Sequence, residues 1–145
     1  MVVVALYLPQ TLMQSVAGYE SAGLPANLRV VSNFFRTAPD GSVRAFTAPV
    51  VTDRNKHAGT ASLVMGMPLP PRRHALVLGS HEQDLRLTEG AEVEVQLSIG
   101  HLELTEDLLR ALPVALQSFD AVVIGDASML FTKSVLDDLL VSSRA

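Results

Sequence analysis

The sequence predicts an α+β fold, with a mixed, mostly antiparallel β-sheet and about three helices packed on one face, built as one domain over residues 1–145. Three observations lead there. Val-rich apolar runs of strand length recur along the chain. Two turn-forming pieces, Pro39-Asp40-Gly41 and Glu89-Gly90, stand between such runs as hairpin turns do. Helical spacing of apolar residues appears once near the start and twice in the last third.

Taken in order, Val2 to Leu8 is an unbroken apolar run ending at Pro9 and reads as a strand covered on both faces. Thr11 to Ala22 reads as a helix with Leu12, Val16 and Tyr19 on one side and Gly23 as its stop. Leu28–Arg36 and Val43–Val51 form the expected hairpin, because Pro39 presets φ, Asp40 offers a local acceptor and Gly41 tolerates positive φ. Ala61 to Met67 is read as a strand. The prolines of Pro68-Leu69-Pro70-Pro71 then deny regular structure.

His74 to Leu78 is a short strand, and Leu85–Thr88 and Ala91–Ile99 make a second hairpin. In the latter, Ala91, Val93, Val95, Leu97 and Ile99 alternate with Glu92, Glu94, Gln96 and Ser98, so one face should meet water. Gly100 is read as a strand end or bulge, since Leu102 and Leu104 take up the other phase. Thr105 should cap a helix carrying Leu108, Leu109 and Leu112, which Pro113 breaks or restarts. Phe119 to Ile124 is the last strand. Thr132 should cap the last helix, with Phe131 and Leu136 as its hydrophobic staple.

An apolar fraction of 48% against 18% charged residues supplies one core at this length and excludes a disordered chain. The absence of cysteine excludes disulfides, thiolate metal cages and a cysteine nucleophile. The seven-residue opening run is too short to span a bilayer, so the expected location is the cytoplasm. The net charge of −4 hides a split: residues 27–73 hold seven bases against Asp40 and Asp53, while residues 74–145 hold twelve acids against four bases. Such an acidic second half speaks against nucleic acid or an anionic membrane as partner. A small anion, an acidic protein surface or a second copy of the chain fits better, and a homo-oligomer is expected.

Two segments hold groups suited to ligand binding. Asp53-Arg54-Asn55-Lys56-His57, followed by Gly59-Thr60, offers cations, an amide and backbone donors for a phosphate or carboxylate. It lacks the G-x-x-x-x-G-K-[ST] spacing, and with a strand predicted next there is no helix N-terminus to help. Gly125-Asp126-Ala127-Ser128 lies at the carboxyl end of a strand, where ligands gather in α/β sheets. The candidate ligand-binding residues are therefore Arg54, Asn55, Lys56, His57, Thr60, Asp126 and Ser128. His74, His81 and His101 with Glu82 and Asp84 have no informative ligand spacing, so neither a metal centre nor a cofactor is expected.

The leading reading is a small binding or accessory domain that takes an anionic ligand or an acidic protein surface through residues 29–73. A second is a hydrolase or transferase in which His57 works with Asp53 or Asp126. A third is an interaction module, of the immunity or chaperone kind, using the acidic 74–145 face and its row Glu92, Glu94 and Gln96.

Overall fold

A computed structural model of the chain describes residues 2–6, 28–33, 35–126 and 128–142. Its α+β character agrees with the sequence, although the sheets are less antiparallel than expected. Of the four strand pairings among the described residues, three are parallel. The described residues fall into two compact units, one made of those up to Pro71 with Leu87–Glu92, the other of Arg72–Arg86 with those from Val93 onward. The predicted helix over 11–22 lies outside the described residues.

In the first unit, β1 (Val2–Leu6) pairs in parallel with β2 (Leu28–Ser32). The expected hairpin shrinks to β3 (Phe35–Thr37) and β4 (Val43–Phe46), with a register shift between Arg36 and Thr37. Its turn is as foreseen: Gly41 takes φ 82, and Asp40 Oδ1 accepts from Ser42 N and Oγ at 2.9 and 2.6 Å. Those two Ser42 bonds hold the Asp40 carboxyl below its ordinary pKa. Val51 leaves the hairpin because its backbone N–H and carbonyl are taken by the Asn33 side chain instead.

The segment predicted as a strand over 61–67 is helix α1 (Ala58–Met65). A continuous apolar run hid a helical spacing: Ala58, Thr60 and Ala61 are buried, and Val64, Met65 and Leu69 pack against the core of Val31, Val51 and Ala61. Ala, Leu and Met are strong helix formers, which tips the balance. Gly66 ends the helix in the left-handed conformation, φ 65, its N–H serving the carbonyls of Leu63 and Ser62.

The second unit is a parallel sheet ordered β5 (His74–Gly79), β6 (Val95–Leu102), β7 (Ala121–Ile124). Ser98, Ile99 and Gly100 are buried in succession, so the water-facing side expected of residues 91–99 does not extend along β6 to Ser98, although Glu92 and Glu94 before the strand are exposed. Gly100 neither ends nor bulges the strand. A Cβ there would meet the Phe119 ring at 2.8 Å, so the glycine makes room for an aromatic side chain.

Helix α2 (Leu108–Ser118) packs Leu108, Ala111, Leu112 and Ala115 into a core with Leu102 and Phe119. It runs through Pro113 without restarting; the missing N–H would have served Leu109, which is 83% exposed and can give its carbonyl to water. Its N-cap is Asp107, not Thr105. Helix α3 (Leu130–Ser142) starts two residues before Thr132, because Ser128 Oγ accepts the Leu130 N–H. Thr132 is instead a buried residue of the helix, and Phe131 and Leu136 are exposed rather than stapled. Lys133 and Asp137 pair one turn apart on its surface.

A polar bracket ties β6 to the entry of β7. Asp120 Oδ2 accepts from Ser98 N at 2.8 Å and Ser98 Oγ at 2.7 Å, and Asp120 N donates to Ser98 Oγ at 3.1 Å. The Ser98 bonds lower the Asp120 pKa from 3.8. A carboxyl with a depressed folded pKa stabilises above its unfolded value and loses that contribution as pH falls through the folded value. Acid titration should therefore destabilise the chain below about pH 4, and Asp120→Asn should flatten that part of the stability curve; an unchanged slope would rule the bracket out.

Candidate functional site

The Asp53–Thr60 loop is assembled from its own side chains. Asn55 Oδ1 accepts from Thr52 N at 2.6 Å and Thr52 Oγ1 at 3.0 Å, while Asn55 Nδ2 donates to Val50 O at 2.9 Å. Asn55 is thus the residue that folds the turn. Lys56 Nζ lies 3.1 Å from Asp53 Oδ1, and its side chain is only 12% exposed where that of Asp53 is 70% exposed. A long cationic side chain held this far from water is unusual without charge compensation. Arg54 is exposed beside it.

The loop runs straight into α1, so the helix whose absence the sequence suggested is present. His57 is its N-cap, with Nδ1 accepting from Thr60 N at 3.4 Å and Nε2 3.5 Å from Thr60 Oγ1. Both ring nitrogens therefore face Thr60, a buried residue. Glu89 O accepts the Gly59 N–H at 3.1 Å. Gly90, at φ 83, lies so close that a Cβ would stand 3.0 Å from Gly59 N. Glu89-Gly90 is not a hairpin turn but the clamp on the start of α1.

Asp126 and Ser128, the other sequence candidates, belong to the second unit. Asp126 Oδ1 accepts from Ser128 N at 2.8 Å, and Ser128 Oγ accepts from Leu130 N at 3.3 Å. The Ser128 bonds, with a smaller contribution from His101, keep the Asp126 carboxyl below its ordinary pKa. His101 Nε2 is 3.0 Å from Thr132 Oγ1, and His81 Nδ1 is 2.8 Å from Ser80 Oγ. Among the described residues no group of three or more His, Asp or Glu side chains gathers as a metal-ion site would require.

Sequence reasoning weighed Asp84 only as a possible metal ligand and did not foresee its place in the fold. It is 7% exposed, sits in the 3₁₀ segment Glu82–Thr88 that replaces the predicted strand over 85–88, and its Oδ2 accepts from Ser80 N at 2.8 Å and His81 N at 3.0 Å. The signal was available: an Asp a few residues past the end of an apolar strand can fold back onto the turn's N–H groups. Beside this turn a cleft of about 230 Å³ opens between Ser80–Gln83 and the Ala111, Val114, Ala115 and Phe119 side chains. The acidic row expected at 92–96 is not a strand-borne face. Residue 95 begins β6, Arg73 pairs with Glu94 at 2.5 Å, and Gln96 Nε2 donates to Leu85 O.

Residues 12–140 match the model of the pyrimidine 5'-nucleotidase (UMPH-1) family. The chain belongs to that family. A crystal structure of cytosolic 5'-nucleotidase IIIB bound to cytidine shares its fold, with a TM-score of 0.63 at 24% sequence identity. The match covers 86% of this chain and 43% of that protein, so the chain spans less than half the length of its solved relative. No helix among the described residues is long and apolar enough to cross a membrane.

Proposed function

We propose that this member of the pyrimidine 5'-nucleotidase family acts in hydrolysis of pyrimidine nucleoside 5'-monophosphates, with the Asp53–Thr60 loop meeting the phosphate. In that reaction water adds to phosphorus, the P–O5' bond breaks, and the nucleoside leaves with a proton on O5'. Most of the barrier to phosphoryl transfer is lowered by positioning and by opposing the developing negative charge. The observation that supports the assignment is Lys56: a largely buried cation paired with Asp53, one residue before the N-cap of α1, in a chain of this family.

In this reading Lys56, with Arg54, faces the phosphoryl oxygens. Asn55, His57 and Thr60 hold the loop that presents them. His57 serves as a cap and not as the general base, since both its ring nitrogens are turned to Thr60. Asp126 and Ser128 are given no part, because their polar atoms are spent on each other and on the first N–H of α3. The anionic ligand expected of residues 29–73 is then a nucleotide, and the enzyme reading replaces the binding module.

The test is release of inorganic phosphate from UMP and CMP, with AMP as control. Lys56→Ala should lower kcat/KM by about 10- to 100-fold, the loss of roughly 1.4 to 2.7 kcal/mol of transition-state stabilisation. Equal rates for the two proteins would remove the loop from the site. CMP binding without phosphate release would return the chain to the binding-module reading.

A further inference from the structure

We infer that Gly90 is a positioning residue for the reaction proposed above, an inference that rests on that reading. The Glu89-Gly90 turn fixes the first turn of α1, and with it the place at which Lys56 meets the phosphoryl oxygens. Lys56 stands between two anchors. On one side the Asn55 side chain is bonded to Thr52 and Val50. On the other, His57 O accepts from Ala61 N at 2.9 Å to begin the helix, and the helix start is held by a segment much later in the chain. The first N–H groups of a helix have no helical partners. Here His57 Nδ1 takes that of Thr60, and Glu89 O takes that of Gly59 at 3.1 Å. The turn therefore holds α1 and does not itself bind phosphate.

The turn closes with Ala91 N donating to Thr88 O at 3.0 Å, and Gly90 stands third in it at φ 83 while Glu89 is not at positive φ. That is the sign pattern of a type II turn, which needs positive φ at its third residue. An L side chain at this position favours type I instead, which turns the 89–90 peptide over and aims the Glu89 carbonyl away from Gly59. Space excludes a side chain as well. A Cβ on Gly90 would stand 3.0 Å from Gly59 N and 3.1 Å from Gly59 Cα, backbone atoms that cannot rotate aside. Either response moves the start of α1, and a shift of about 1 Å in a group facing the transition state costs on the order of 100-fold in rate.

Steady-state phosphate release from CMP by the 145-residue protein tests the inference, with Gly41→Ala as control. Gly41 lies at φ 82 in the same unit, but a Cβ there meets nothing within 4 Å, so this variant carries comparable backbone strain without touching α1. Gly90→Ala should lower kcat by roughly 10- to 100-fold with KM changed less than about 3-fold, because Lys56 is displaced where charge develops in the transition state. Gly41→Ala should keep the wild-type kcat. Amide exchange at Gly59 should quicken at least ~10-fold in Gly90→Ala and not in Gly41→Ala. Should Gly90→Ala fail to fold by circular dichroism, Gly90→Asn takes its place with the same outcomes expected, since asparagine tolerates positive φ while its Cβ still presses on Gly59. Wild-type kcat in the folded Gly90 variant, an unmoved Gly59 amide, or equal losses in both glycine variants would overturn the inference; with Lys56→Ala impaired, the proposed function would still stand. A wild-type protein that releases no phosphate would overturn the proposed function, and this inference with it.

Discussion

Gly79→Ala is expected to cost about 3 kcal/mol of unfolding free energy, the upper end of what overpacking does, read as a lowered urea midpoint with an unchanged slope. Gly79 is the last residue of β5, and a Cβ there would stand 2.3 Å from Asp84 Cβ and 2.5 Å from Asp84 Oδ2. No side chain tolerates such approach. The atom in the way is Cβ, fixed to the backbone of the 3₁₀ segment, so rotating the Asp84 side chain does not relieve the clash. Moving the segment would pull Oδ2 away from Ser80 N and His81 N, two charge-assisted bonds within a turn where Asp84 is otherwise buried. The variant therefore suffers strain or loses both bonds. Gly79→Ala combined with Asp84→Gly separates the two: with the Asp84 side chain removed, the added methyl has room, and the double variant should be no less stable than Asp84→Gly alone. If the single Gly79→Ala variant unfolds at the wild-type midpoint, the turn does not close against β5 as described.

How much of this was legible beforehand depends on where each residue's partner lies in the chain. Turns built from neighbours were readable: Pro39-Asp40-Gly41 is a turn because Ser42 lies two residues from Asp40. Helix α3 was readable in kind, though its start was not, because Ser128 and Thr132 are both good caps and only the fold buries Thr132 against His101. The strand at 91–99 failed for a different reason. Its alternation is real in the sequence, but β6 is the central strand of a parallel sheet with helices on its faces: Leu102 packs with α2 and His101 meets Thr132 of α3. Helix α1 was missed because a short apolar run carries no period that separates strand from helix, and its clamp comes from Glu89 and Gly90, far along the chain.

The candidate site shows the same division. The loop 53–60 was singled out from residue types alone, and the pairing of Lys56 with Asp53 is local, at i, i+3. What the types did not reveal is which of its side chains hold the loop together. Asn55 and His57 look like ligand contacts in a list of polar residues; in the fold their side chains are committed to Thr52, Val50 and Thr60. Polar side chains near a turn are often spent on the backbone that makes it.

Asn33→Ala should destabilise the chain by about 2 to 4 kcal/mol, two buried hydrogen bonds lost with both partners stranded. Asn33 Nδ2 donates to Val51 O at 2.8 Å and Asn33 Oδ1 accepts from Val51 N at 2.6 Å, so one amide stands in for a neighbouring strand. Both residues are buried, and Val51 packs with Val31 and Ala61 beneath α1. Water cannot easily replace the amide there, which is why the cost exceeds that of an exposed bond. Asn33→Asp is the discriminating companion: it preserves the acceptor but replaces the donor by an oxygen facing the Val51 carbonyl, so it should be at least as harmful as alanine at neutral pH. It should recover in part as the carboxyl is protonated, because the protonated form regains a donor. Since Val51 leads directly into Thr52 and the Asn55 turn, Asn33→Ala should also loosen the Lys56 loop, raising hydrogen exchange at residues 52–57 more than at β6. Equal protection in that loop with and without the Asn33 amide would mean that the loop stands on its own side chains alone.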